Sequence, residues 1–152
     1  MRIEQGQAKT YIARYFERYP GVARYMERIR TEAGEKGYVE TVFGRRLYVP
    51  EINSRNHGRR QGAERTAINA PMQGTAADII KRAMIDVDGW LREGEFDAVM
   101  VMQVHDELVF EVRREQVDAF KAEVTRRMQG AGQLDVPLIV EAGHGDNWEE
   151  AH

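Results

Sequence analysis

Three adjacent polar residues, His105, Asp106 and Glu107, interrupt a mostly apolar stretch over residues 98–112. The flanks are rich in Val, Met, Leu and Phe and hold neither Gly nor Pro, a pattern that reads as two strands. Two adjacent carboxylates are costly inside a strand unless they sit at a turn or bind something. The pattern therefore predicts a β-hairpin with an acidic tip. Carboxylates held on rigid strand ends suit a hard divalent cation. A charged, solvated turn accounts for the same residues, and the pattern alone leaves both readings open.

A second set of polar residues lies on the longest helical segment, residues 62–92. Arg65, Asn69 and Gln73 recur there at four-residue spacing. Each step of four turns a helix about 40° past a full circle, so the three span roughly 80° and form one ridge of donors. A solvated face is one account. The other is a ridge that meets acceptors in a nucleic-acid groove. Minor-groove edges present N3 and O2 acceptors on every pair, so such donors would test duplex shape without reading sequence. Residues 51–61 are polar, without apolar period, and read as a loop or the frayed start of a helix. Arg55, Arg59 and Arg60 there are of the kind that hold phosphates; a merely soluble basic surface is the plainer account.

Charge supports one anionic partner at one place. The chain has 152 residues and a net charge of −3. Residues 41–65 hold six Arg against Glu51 and Glu64, a local balance of +4, which leaves −7 on the remainder. A basic patch inside an acidic chain is an electrostatic footprint. There is no Cys, hence no disulfide framework or thiolate metal site. No apolar signal region or membrane-length apolar run is present, which leads us to expect a soluble cytoplasmic protein and no membrane partner.

The positioning elements follow from periodicity. Residues 3–30 are helical in pattern, with Ile12, Tyr15, Phe16 and Tyr19 in one stripe expected to pack into the core. Pro20-Gly21 breaks that helix. A second follows with Val22, Tyr25, Met26 and Ile29 on one face, ended by Gly34 and Gly37. Residues 38–50 alternate about Phe43-Gly44 and predict a small hairpin, with Arg45 and Arg46 on a solvated edge. In residues 62–92, Ile80, Met84, Val87 and Leu91 form the apolar stripe. Pro71 predicts a kink near residues 71–74, and Thr75 to Asp78 could restart the helix as a capping box. One kinked helix and two helices both remain open. Residues 114–129 are helical, with Val117, Phe120, Val124 and Met128 buried and Gly130 and Gly132 as the stop. Residues 136–141 predict a third strand, at an edge because of Pro137. His144 and Asp146 in the Gly-rich tail read as turn chemistry rather than metal ligands.

Several stretches together resemble the C-terminal part of the A family of DNA polymerases, the family of bacterial DNA polymerase I. They are E-R-T-A-I-N-A-P-M-Q-G-T-A-A-D-I-I-K-R-A-M (residues 64–84) and M-Q-V-H-D-E-L-V-F-E-V (residues 102–112). Y-F-E-R-Y-P-G-V, G-Y-V-E-T-V-F-G-R-R-L-Y-V-P and the closing N-W-E-E-A-H fit the same region. The resemblance covers nearly the whole chain. With the periodicities it leads us to expect an α+β fold. Its small antiparallel palm sheet would be the acidic-tipped hairpin plus a C-terminal strand, packed with helices and preceded by helices and a small β-hairpin. Residues 1–152 would be one partial polymerase domain: 1–92 a mostly helical, fingers-like segment with hairpin 38–50, and 93–152 a palm segment.

The resemblance also implies roles. Asp106 would ligate a catalytic Mg²⁺ with Glu107 in support. His105 would lie near the primer end, and Arg65, Asn69 and Gln73 would touch the minor groove around the primer terminus. The chemistry implied is nucleotidyl transfer by two metals, one acting on the primer 3′-hydroxyl and one on the triphosphate. Primer–template DNA is the implied partner, with deoxynucleoside triphosphates in the complete enzyme and a separate N-terminal half if the enzyme is split. The family also needs a further aspartate on an earlier strand and a fingers helix with an Arg and a Lys for the triphosphate. Neither motif is in this sequence, so only one side of the two-metal site is expected and the chain alone should not extend a primer. A non-catalytic duplex-binding module and a degenerate remnant are the alternatives. The resemblance adds a bacterial, nucleoid-associated location. A partial palm should expose apolar surface, which favours self-association or marginal stability.

Overall fold

The computed structural model describes residues 4–151. Ile3, where the first helical pattern begins, and His152, which closes the N-W-E-E-A-H motif, lie outside them. The element order is α1 (Gln5–Arg18), α2 (Pro20–Lys36), β1 (Tyr38–Glu40), β2 (Arg46–Tyr48), a 3₁₀ turn (Pro50–Asn53), α3 (His57–Leu91), β3 (Ala98–Val104), β4 (Glu107–Val112), a second 3₁₀ turn (Arg114–Gln116) and α4 (Val117–Gln129). The class is α+β, with two separate two-stranded antiparallel sheets among the described residues. The chain divides into two compact units, the first ending at Gly74 and the second beginning at Thr75.

In the first unit, Pro20 stands at the start of α2, where its missing N–H costs nothing. The helix runs through Gly34 and stops at Gly37, which takes the left-handed conformation (φ 75°). Ile29 and Ala33 of α2 meet Val39, Val49, Ile52 and Ala67 in one buried cluster. The β1–β2 hairpin pairs Tyr38 with Tyr48 and Glu40 with Arg46, and turns through Gly44 at φ 81°. Arg46 is engaged within that hairpin: it lies over the Tyr38 ring and bonds Glu40 at 2.9 Å.

The α1 stripe is not core. Ile12, Tyr15 and Tyr19 are each about half or more exposed, and only Phe16 is partly buried. A 3.6-residue period marks a helix with an apolar face; it does not guarantee that the same stretch of chain supplies the surface to cover it.

Helix α3 runs uninterrupted for 35 residues with Pro71 inside it, so the capping-box restart at Thr75 does not occur; Thr75 is a buried helical residue. Proline removes the N–H that would serve the Ala67 carbonyl and crowds that turn. Neighbouring side chains bind carbonyls on either side of the proline. The Tyr25 hydroxyl donates to Ile68 O at 3.0 Å, and the Arg45 guanidinium donates to Gly74 O at 3.0 Å. Burial pushes the Tyr25 hydroxyl above the ordinary tyrosine range, opposed by nearby Arg28.

The hairpin comes so close to α3 at Gly74 that a Cβ there would stand 2.7 Å from the Thr41 methyl carbon. Gly62 and Gly89, on the same helix, have nothing within 4 Å of such a Cβ. Alanine should therefore have opposite effects. At Gly62 or Gly89 the helix gains roughly 0.5–1 kcal/mol. At Gly74 overpacking of about 1–3 kcal/mol outweighs that gain. Urea melts of the three single variants check the signs.

In the second unit, Val87 and Trp90 of α3 and Phe120 and Val124 of α4 are buried together. Phe96, Ala98, Met100, Phe110 and Val112 pack against them. The predicted α4 stripe is in place. Residues 136–141 carry no strand. Pro137 lacks a donor, and Val136 and Ile139 are two-thirds or more exposed, so no burial offsets the cost of ordering a ladder there.

Candidate active-site hairpin and donor ridge

The acidic tip forms as a tight hairpin. Val104 pairs with Glu107, which leaves His105 and Asp106 as a two-residue loop. Glu107 is therefore the first residue of β4, half-buried, while His105 and Asp106 are exposed. Two-residue loops favour primed turns, because their twist matches that of the strands, and these need positive φ at one or both central residues. His105 supplies it at φ 52°, the one non-glycine residue to do so among those described. The Gln103 side-chain amide donates to the His105 carbonyl. Asp106 makes no hydrogen bond or ion pair among the described residues, so its carboxylate is uncommitted. Its oxygens and those of Glu107 are hard donors of the type Mg²⁺ takes. No group of three His, Cys, Asp or Glu suited to a metal forms among the described residues.

Between core and tip, β3 carries a bulge. Met100 pairs with Phe110 but Met102 with Val109, so Val101 is the extra residue. Before it, Ala98 and Met100 face the core; beyond it, Met102 is 44% exposed. Bulges bend and twist a strand and re-aim the side chains beyond them.

The ridge forms in the first unit. Arg65, Asn69 and Gln73 sit on continuous α3, all exposed, and none of their side chains makes a hydrogen bond or ion pair with a described residue. Arg59 and Arg60 are not in a loop: α3 begins at His57, which places both in its first turn. Asn56 caps that turn, its side-chain oxygen accepting from Arg59 N at 3.2 Å and its carbonyl from Arg60 N at 3.0 Å. The first turn holds no acid. Two arginines thus join the positive end of the helix dipole, which favours an anion there. Both also have distant acidic neighbours, Arg59 with exposed Glu51 at 4.0 Å and Arg60 with half-buried Glu64 at 3.8 Å. Arg55 precedes the helix and is exposed.

His144 and Asp146 do not converge on one point. Asp146 pairs with Arg114 at 2.8 Å, and His144 Nδ1 lies 3.4 Å from Lys121 Nζ. Two contributions were missing from the sequence-based site. One is the Asn56 cap, hidden because Arg rather than an acid stands three residues on. The other is Gln103, the next-to-last residue of β3, whose bond to a backbone carbonyl of the turn has no signal in the sequence pattern.

A family model for DNA polymerase family A matches residues 1–150, and the chain belongs to that family. The relatives it is similar to are bacterial DNA polymerases I. That of Pseudomonas aeruginosa is 61% identical over 150 residues, which is 99% of this chain and 16% of the relative. That of Streptococcus pneumoniae serotype 4 is 50% identical over 98% of this chain and 17% of its own length. Among solved structures, the POL domain of Pol1 from M. smegmatis in complex with DNA primer-template and dNTP superposes with a TM-score of 0.94 at 44% identity. That match takes in 98% of this chain and 26% of the other. The chain thus spans about a sixth of the length of the curated relatives it matches. Among the described residues, no helix is long and apolar enough to cross a membrane.

Proposed function

We propose that this chain is the C-terminal part of the polymerase domain of a template-directed DNA polymerase. It contributes one carboxylate side of a two-metal nucleotidyl-transfer centre and part of the surface that receives the primer–template. The observation that carries this reading is the exposed, uncommitted Asp106 carboxylate at a two-residue tip in a family A chain. In this reading residues 1–92 are fingers-like and 93–152 belong to the palm. Asp106 holds Mg²⁺ with Glu107 in support, and His105 faces the primer end. Arg65, Asn69 and Gln73 donate to minor-groove acceptors, and Arg59 and Arg60 hold phosphates at the start of α3. Bound Mg²⁺ would supply Lewis-acid stabilisation of the charge on the transferring phosphoryl group. Mg²⁺ prefers six oxygens and releases water reluctantly, so a carboxylate pair is an incomplete set. The chain alone should therefore not extend a primer in Mg²⁺ and the four deoxynucleoside triphosphates. Robust synthesis by the purified chain would overturn that part of the proposal.

A duplex-binding module without catalysis is the second reading, favoured by the exposed ridge and the basic first turn of α3, neither of which needs a metal. It predicts binding to primer–template junctions in EDTA that weakens with salt. The slope of log K against log salt should flatten by about 0.9 for each phosphate no longer neutralised. Replacing Arg59, Arg60 and Arg65 together by alanine should flatten it by roughly 2–3. Fluorescence anisotropy over a salt series measures this, and an unchanged slope would remove these arginines from the interface.

A further inference from the structure

We infer that Gln103 is a positioning residue: its side-chain amide fixes the peptide between His105 and Asp106, and with it the direction in which the Asp106 carboxylate points. The inference rests on the reading of Asp106 as the metal-facing acid. The bonded oxygen is the His105 carbonyl, which belongs to the central peptide of the turn. That peptide has two orientations compatible with a two-residue hairpin. In one, only the first central residue has positive φ; in the other, both do. The chain holds the first, positive at His105 and not at Asp106.

That form ordinarily wants glycine at its first position, whereas here a Cβ-bearing residue occupies it. Aspartate tolerates the left-handed region, so a flipped peptide with positive φ at Asp106 is within reach. A flip would swing the Asp106 side chain while leaving every strand pair intact. Gln103 is the group that selects between the two: it stands two residues before His105 near the end of β3, paired across the hairpin with Leu108, and its amide meets the carbonyl in the orientation the turn holds.

The test uses the whole chain and NMR. With wild type, Gln103→Ala and Gln103→Glu, one follows the Asp106 amide–Hα coupling, its line shape, and amide exchange at Asp106 and Glu107, without metal. Loss of one hydrogen bond should speed exchange about 2- to 10-fold in both variants. Asp106 should broaden or split between two turn forms. The glutamate variant is the control for size: at neutral pH it keeps the shape and loses the donor. Wild-type-like spectra for Gln103→Glu, or for both variants, would overturn the inference. A separate arm adds Mn²⁺ alone and reads paramagnetic broadening. Broadening at Asp106 that vanishes in Asp106→Asn supports the metal reading. No broadening in wild type overturns that reading, while the role of Gln103 in the turn is still decided by the first arm.

Discussion

Asp106→Ala is expected to abolish DNA synthesis without disturbing the fold. The context for the measurement is a chimaera in which this chain replaces the 61%-identical segment of the P. aeruginosa relative. Loss of the proposed metal ligand should lower kcat by at least about 10³-fold, roughly 4 kcal/mol of transition-state stabilisation. Stability should barely move, because Asp106 is exposed and has no partner among the described residues; surface changes of that kind stay within about 0.5 kcal/mol. The two readouts must therefore separate. Near-normal synthesis by the variant chimaera would remove Asp106 from the centre. A large fall in melting temperature would make the loss of synthesis a folding effect.

The largest effect on stability is expected at Phe120. Its ring meets three others: Trp90 stacked at 5.4 Å, Phe110 edge-on at 5.2 Å and Phe96 edge-on at 5.7 Å. Its side chain is the meeting point of α3, α4 and the β3–β4 hairpin. Truncation to alanine removes the transfer free energy of a buried aromatic and leaves a cavity walled by rings that cannot collapse far. The expected cost is about 3–5 kcal/mol. Urea melts followed by tryptophan fluorescence should report it directly, since Trp90 lies against the lost ring. Phe120→Leu fills part of the space and should recover part of the loss. A cost below about 1 kcal/mol would mean that the ring cluster is not the core of this unit.

How much of this was legible in the sequence depended on whether a pattern and its cause lay in the same stretch of chain. The acidic hairpin was legible because two apolar runs around a polar triplet have few other uses. So was α4, from whose stripe Phe120 and Val124 are buried, with Met128 packed against them, by elements within the same unit. The α1 stripe was equally periodic, yet its cover is not supplied by any described residue. The expected strand at 136–141 failed for a related reason: a short apolar run suggests a strand and says nothing about a free edge to bond. Pro71 locally signals a break, but continuity of α3 comes with long-range partners, Tyr25 and Arg45, that no local rule could supply. In the site, the ridge spacing was visible directly. The helical setting of Arg59 and Arg60 and the Gln103 bond needed coordinates.

The bulge at Val101 has a consequence in parity. Paired residues in a regular hairpin have a constant index sum, and the extra residue raises that sum by one between the core and the tip. Were the same chain paired without it, the core register Met100↔Phe110 would run on to Gln103 opposite Glu107, leaving an odd loop of three residues. The bulge makes the loop even. A deletion of Val101 should thus keep the two-residue turn while straightening the strand, whereas a one-residue change beyond the bulge would alter the turn itself. Residue count at one interior position of β3 thereby governs the geometry of a tip several residues away.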